Sequence, residues 1–162
     1  MNVAPVSEPI NPLAMPESLA SLSGLQILEK MLTGALPPPP ISVSMGFTLH
    51  AINEGWAEFR GTPGRKDTNP MGTVHGGWYG TLLDSAMACA VMSKLGPGQN
   101  HTTLEYKVNI IRPIPIGMEI SATANADHVG RSTGIAHGSI VGLVDGRIYA
   151  TGSTTCIVVT PG

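Results

Sequence analysis

Residues 75–95, HGGWYGTLLDSAMACAVMSKL, restrict what this chain can fold into more than any other stretch. The segment reads as a helix. Trp78, Leu82, Leu83, Ala86, Met87, Ala90 and Val91 do not fall on one stripe, so the helix is apolar almost all round. A helix apolar on every side is expected to be buried on every side. Something in the same chain, or in a second copy, has to surround it.

The flanking sequence supplies strands for that purpose. Residues 102–112 alternate Leu104, Tyr106, Val108 and Ile110 with polar residues, and 118–126 alternate Met118, Ile120, Ala122, Ala124 and Ala126 in the same way. A period of two gives one inward and one outward face. Further strands are expected at about 42–50, 55–61, 131–143 and 147–159. Their turns fall at Asn53-Glu54-Gly55, Pro115 to Gly117, His128 to Gly130 and Asp145-Gly146, the last a two-residue hairpin signal. About six strands around one helix make the class α+β, with an antiparallel meander whose apolar face wraps the helix.

Upstream, Ser23 and Gln26 form a capping box for a short helix over about 24–33, striped by Leu25, Leu28 and Leu32. Gly34 ends it and Pro37 to Pro40 forbid its continuation. The tail, with prolines at 5, 9, 12 and 16, buries too little apolar surface to order itself. The expected organisation is a flexible tail at 1–22, a helix and polyproline connector at 23–40, and one folded domain at 41–162.

Composition narrows the partners. Charged residues are 12% of the 162, about half the ~25% typical of soluble domains, while hydrophobic residues are 42%. A surface so poor in charge is expected to be covered in part by other copies, so a homo-oligomer is expected. The net charge of −2 and the lack of a basic cluster argue against nucleic acid. No apolar run reaches the ~18 residues of a spanning helix. The N-terminus lacks the basic start and apolar stretch of a signal peptide, so a cytoplasmic protein without a membrane partner is expected. Cys89 and Cys156 read as small buried hydrophobes.

The chemistry-bearing residues are few. GxSxG, P-loop and dinucleotide motifs are missing. The histidines at 50, 75, 101, 128 and 137 lack metal-ligand spacing, so no metal is expected. What stands out is Asn69-Pro70-Met71-Gly72-Thr73-Val74-His75-Gly76-Gly77, followed by Asp84. Asp84 is the only charged residue from Gly76 to Ser93. A carboxylate there is costly unless paired or put to use; the alternative is an Asp turned to solvent or capping a neighbouring turn. The Gly76 and Gly77 amides sit in the first turn, where free donors and the helix dipole favour a developing oxyanion. Close backbone packing is the alternative reason for glycine. Eight residues of helix are ~12 Å, too far for one reaction centre. A two-fold axis would bring Gly76 of one chain to Asp84 of another.

The run NPMGTVHGG with Asp84, the strand ending Arg112-Pro113, and HVGRSTG at 128–134 together resemble the hotdog-fold acyl-CoA thioesterases, in the branch named after phenylacetic-acid degradation. The resemblance covers about 37–159. It implies a long central helix wrapped by a curved sheet, and sites at the interface of dimers that often pair into tetramers. It implies that Asp84 is the general base or nucleophile and that the Gly76 amide polarises the thioester carbonyl. Asn69 would place carbonyl or water, His75 would support the loop, and Thr103, or Thr102 in the other register, would assist the water. Arg131 and Ser132 would approach the coenzyme A phosphates. Gly77, Trp78, Tyr79 and Leu82 are the candidate substrate-binding residues at the helix start, the last three as an acyl-pocket lining. Coenzyme A is then part of the substrate and no cofactor is needed. Two rival readings are a non-hydrolytic acyl-CoA or metabolite-binding module and a hydratase using His75.

Overall fold

The structure is a computed structural model that describes residues 18–160. The first 17 residues of the expected tail lie outside the described residues. A first helix, α1 (Gly24–Leu32), begins with the capping box: Gln26 N–H donates to Ser23 Oγ at 3.3 Å, and the Gln26 side chain accepts from Ser23 N–H at 2.9 Å. Gly24 is required there. A Cβ would stand 1.8 Å from the Met92 carbonyl oxygen, inside any contact distance, so glycine lets α1 cross the end of the central helix.

A second short helix, α2 (Pro40–Met45), replaces the start of the strand expected at 42–50. Proline at the first helical position is preorganised for helix and loses no hydrogen bond. Gly46, at φ 70°, ends the helix in the left-handed conformation. Local chemistry at both ends overrode the β-like residues between them.

The six strands are β1 (Phe47–Asn53), β2 (Trp56–Gly61), β3 (Asn100–Ile110), β4 (Ile120–Val129), β5 (Thr133–Gly142) and β6 (Ile148–Val159). They form one antiparallel sheet in the order β1-β2-β4-β5-β6-β3. The Asp145-Gly146 hairpin is longer than expected. Residues 143–147 connect the strands, Gly142 N–H donates to Arg147 C=O at 3.0 Å, and Asp145 is engaged by the Tyr149 hydroxyl at 2.9 Å. The turn expected at His128 to Gly130 falls later, because β4 runs through Val129.

The central helix, α3 (Gly76–Met92), lies on the concave face of this sheet. Leu82, Leu83, Ala86, Met87, Ala90 and Val91 are fully buried against Ala57, Ile120, Ala122, Ala124, Ile140 and Ala150. Alanines on the strands let the helix approach closely, and Gly134, Gly138 and Gly152 leave room for Val91, Met87 and Leu83. The helix is not buried on every side within one chain. Gly77, Thr81, Asp84, Ser85 and Ala88 form a partly open strip, where Thr81 and Ser85 turn their hydroxyls back onto Gly77 C=O and Thr81 C=O at 2.8 Å each. This hotdog architecture puts β3, which follows α3 in sequence, at the sheet edge beside that strip.

Candidate active site

Two clusters of the expected residues sit at opposite ends of β3. The first is built on the loop before α3. Asn69 Oδ1 accepts from Met71 N–H at 2.9 Å and Thr73 N–H at 3.2 Å, while its Nδ2 donates to Thr73 Oγ1 at 2.9 Å. Gly72, at φ 79°, closes this turn with a 2.9 Å bond to Asn69 C=O. Asn69 therefore spends most of its hydrogen-bonding capacity holding the loop. His75 N–H donates to Asp67 C=O at 2.8 Å, which docks the loop end.

His75 is the N-cap of α3, and its Nδ1 accepts the Gly77 N–H at 2.9 Å. Glycine at 77 leaves room for the imidazole, since a Cβ would stand 3.0 Å from that nitrogen. With Gly77 capped by His75, the Gly76 N–H is the first-turn donor left without an intramolecular acceptor among the described residues. It opens onto a surface groove of about 340 Å³ between the loop and the end of β3, lined by Asn69, Thr73, Gly76, Tyr79, Ile110 and Arg112. Crowding does not demand glycine at 76: a Cβ would meet only the tip of Ile110, at 3.3 Å.

The second cluster lies about two turns along α3. Asp84 is half-buried, and its Oδ1 accepts from Thr103 Oγ1 at 2.9 Å. Thr103 Oγ1 also approaches Cys156 Sγ at 3.9 Å. Thr102, the other register, is exposed on the opposite face of β3. Burial raises the Asp84 carboxyl above the ordinary carboxylate range, and the Thr103 hydrogen bond offsets part of that rise. No other titratable group is hydrogen-bonded to Asp84 among the described residues. Asp84 thus has one carboxylate oxygen held by Thr103 and a second without a hydrogen bond among the described residues.

Other expected residues lie elsewhere. Trp78 and Leu82, expected in an acyl-pocket lining, are 2% and 0% exposed and belong to the core. Trp78 is pinned by a 2.9 Å bond from Nε1 to Met45 C=O. The physical reason is that these positions point at the sheet and not along the open strip. Tyr79 is also core: its hydroxyl accepts from Ile114 N–H at 2.7 Å and donates to Arg112 C=O at 3.3 Å, while its edge reaches the groove. Arg131 and Ser132 occupy an exposed turn between β4 and β5, where Ser132 C=O accepts from Val158 N–H at 2.9 Å. Among the described residues, no group of three or more His, Cys, Asp or Glu could hold a metal.

Two features escaped the sequence reading. A cavity of about 420 Å³ lies under α1 and the Pro37 to Pro39 connector, walled by Leu28, Leu36, Leu49, Phe59 and Cys89. Enclosure pushes the Cys89 thiol up to about 12, so it is neutral there. The other feature is His101, whose imidazole lies under α3 on the Thr103 side of β3. Alternation along β3 was the available signal, since residues 101 and 103 share a face.

Residues 71–149 match the model of the thioesterase superfamily. That span, 79 of the 162 residues, is where the chain is similar to the thioesterase superfamily. The matched span holds His75, Gly76, Asp84 and Thr103. The chain is 31% identical to acyl-coenzyme A thioesterase 13 of Mus musculus over 90 residues, which are 54% of this chain and 62% of that relative. Among solved structures, the domain is similar to a phenylacetic acid degradation-related protein of Ralstonia eutropha JMP134, with 28% identity, a TM-score of 0.72, and coverage of 80% of this chain and 97% of that one. A thioesterase family protein of Silicibacter pomeroyi shares the fold at 24% identity with a TM-score of 0.74, covering 82% and 98% of the two chains.

Proposed function

We propose that the hotdog domain hydrolyses an acyl-CoA thioester, aryl or medium-chain, at sites formed between two chains. The observation that carries this reading is the complementary placement of the two clusters along one exposed strand. Gly76 lies against Ile110 at one end of β3, and Asp84 is bonded to Thr103 near the other. As the sheet edge, β3 presents an unpaired row of backbone groups with Leu104 and Tyr106 60% and 47% exposed. Two such edges paired antiparallel, with the two-fold axis between Tyr106 and Lys107, set Thr103 opposite the partner's Ile110. Each Asp84 then meets the Gly76 amide of the other chain, and the open strip of α3 is covered.

In that arrangement the thioester oxygen accepts from Gly76 N–H at the positive end of α3. Charge builds on this oxygen in the tetrahedral intermediate, so the interaction strengthens toward the transition state. Asp84, held by Thr103, takes a proton from water as the water oxygen bonds to the carbonyl carbon. Collapse breaks the C–S bond, and the proton held by Asp84 passes to the thiolate. The same geometry accommodates direct attack by the carboxylate, with water then cleaving the anhydride. Label found in Asp84 after single-turnover hydrolysis in ¹⁸O-water would establish the anhydride route with water attacking the Asp84 carbonyl, whereas general-base hydrolysis places the label in the product acid alone.

The test is free-thiol release from a panel of acyl-CoA thioesters by the wild-type protein and Asp84→Asn. Turnover of at least one thioester, lost in the variant, is the expected result. Tight binding of acyl-CoA without release of thiol would establish the binding-module reading instead. His75 Nδ1 is committed to the helix cap, so a hydratase reading would have to use Nε2, and hydration of an enoyl-CoA without thiol release would support it.

A further inference from the structure

The cavity under α1 and the Pro37 to Pro39 connector has no part in the mechanism described so far. At about 420 Å³ it far exceeds the voids that close packing leaves in a core, which are mostly no larger than a water molecule. Leu28, Leu36, Leu49, Phe59 and Cys89 wall it, and none of its lining residues carries a charge. A fatty-acid carboxylate or a coenzyme A phosphate would find no partner there. Apolar carbon would. A cavity of ~150 Å³ with such walls takes up benzene, so the same filling leaves room for roughly 15 carbons here.

The surface of α3 joins this cavity to Asp84. Asp84, Ser85, Ala88 and Cys89 are all partly accessible, whereas Ala86, Met87, Ala90 and Val91 are fully buried. Neighbours four apart on a helix stand ~5–6 Å from each other, so Asp84 leads to Ala88, and Ser85 to Cys89, without a break. Beyond the carboxylate the path asks for no polar partner. Ser85 Oγ is spent on Thr81 C=O at 2.8 Å, and Ala88 offers a methyl group. Cys89 is both the last step of the path and a wall of the cavity. It lies ~7.5 Å farther along the axis than Asp84 and ~140° round it, which makes the path over the helix surface ~12 Å. An extended chain advances ~1.2 Å per bond, as a peptide does, so about ten carbons are needed to reach the cavity. A phenylacetyl or hydroxybenzoyl ring stops short of it.

We propose that the cavity is a chamber for the end of the acyl group. The substrate then carries an unbranched aliphatic chain of about ten carbons or more. That chain runs from the thioester at Asp84 over Ala88 and Cys89 and ends against Leu36, Leu49 and Phe59. This narrows the thioesterase reading above and rests on it: of the acyl groups left open there, the aliphatic one is chosen. The second chain that covers the open strip of α3 closes the path into a channel. Cys89 serves as a neutral wall and takes no part in the bond-making steps.

Two sets of probes test this on the full chain, below the concentrations at which long-chain esters form micelles. The first is S-dodecyl-CoA against S-butyl-CoA, thioethers that cannot be hydrolysed, with binding read by calorimetry. The second is thiol release from dodecanoyl-, butanoyl- and phenylacetyl-CoA. Each methylene that enters the cavity is worth up to about fourfold, so wild-type protein should bind the dodecyl thioether at least ~tenfold more tightly than the butyl one. Its kcat/KM should favour dodecanoyl-CoA over the other two esters by a similar factor. Cys89→Phe and Leu36→Trp fill the cavity from the helix and from the connector, and each should erase most of the dodecyl preference.

Equal affinity for the two thioethers overturns the proposal, and so does a higher kcat/KM for phenylacetyl-CoA than for dodecanoyl-CoA. An undiminished dodecyl preference in either folded variant also overturns it, because the chain end would then lie elsewhere. Leu36 stands on the connector between α1 and α2, outside the sheet. If Cys89→Phe fails to fold, Leu36→Trp therefore decides alone. The two levels of the account separate cleanly. A dodecyl preference that Leu36→Trp removes, with no thiol released from any ester, keeps the chamber and defeats the thioesterase reading. Thiol release that Asp84→Asn abolishes, without any dodecyl preference, keeps that reading and defeats the chamber.

Discussion

The two sides of α3 obey different rules. The side toward the sheet is a close-packed seam in which Leu82, Leu83, Ala86 and Met87 are completely buried and facing glycines make room for them. The side toward the β3 edge is loosely covered, carries Thr81, Asp84 and Ser85, and holds a carboxyl whose burial costs free energy. Stability is therefore concentrated on the sheet side. The polar side has the features of a site: a perturbed acid, a fixed partner and an edge on which a second chain can lie.

Substitutions on each side should separate the two. The largest effect is expected from Asp84→Asn, which should fold normally yet lose at least ~10²-fold in kcat, as loss of a positioned general base does. Its stability should move the other way. Because the folded protein raises the Asp84 pKa, wild-type protein is penalised for the charged form above that pKa. The amide escapes this penalty at neutral pH, and the advantage should fade as pH falls through the raised pKa. Thermal melts from pH 4 to pH 8 check the sign. An Asp84→Asn variant less stable than wild type at pH 8 would show that the carboxylate is structural.

Leu82→Ala probes the opposite side. It should cost ~2–5 kcal/mol in chemical denaturation, through lost contacts and the cavity left behind, while the folded fraction keeps its kcat. Leu104→Lys, on the exposed edge, should halve the mass seen by light scattering and abolish thiol release together. A monomer with full activity would break the link between the edge and the site.

Smaller effects sharpen the comparison. His75→Ala removes the helix cap and should cost ~0.5–2 kcal/mol. Thr103→Val deletes the bond that favours the charged carboxylate, so the acid limb of the kcat/KM profile should shift to higher pH. A profile unmoved by that change would mean that another group governs the limb.

Much of this was legible in the residues. The period of two announced the strands, the capping box placed α1, and a lone Asp in an apolar helix marked the partly open strip of α3. The misses share a cause: local patterns do not report which neighbour a residue meets. Pro40 and Gly46 turned a β-like run into α2. Trp78 and Leu82 looked as available to a substrate as Asp84, because the sequence does not say which side of α3 meets the sheet. His101 sat beside a glycine-rich turn, and its burial depends on β3 starting at Asn100 under the helix.

The central claim is that one reaction centre takes Asp84 from one chain and the Gly76 amide from the other. Gly76→Pro deletes that amide with little strain, since proline suits the first helical position and His75, at φ −66° and ψ 138°, already has the backbone a preceding residue needs. Asp84→Asn and Gly76→Pro should each be nearly inactive alone. Co-refolded in equal amounts, half the dimers are mixed and each holds one intact site, so the account predicts about a quarter of the wild-type thiol-release rate. A mixture no more active than its parents would contradict it.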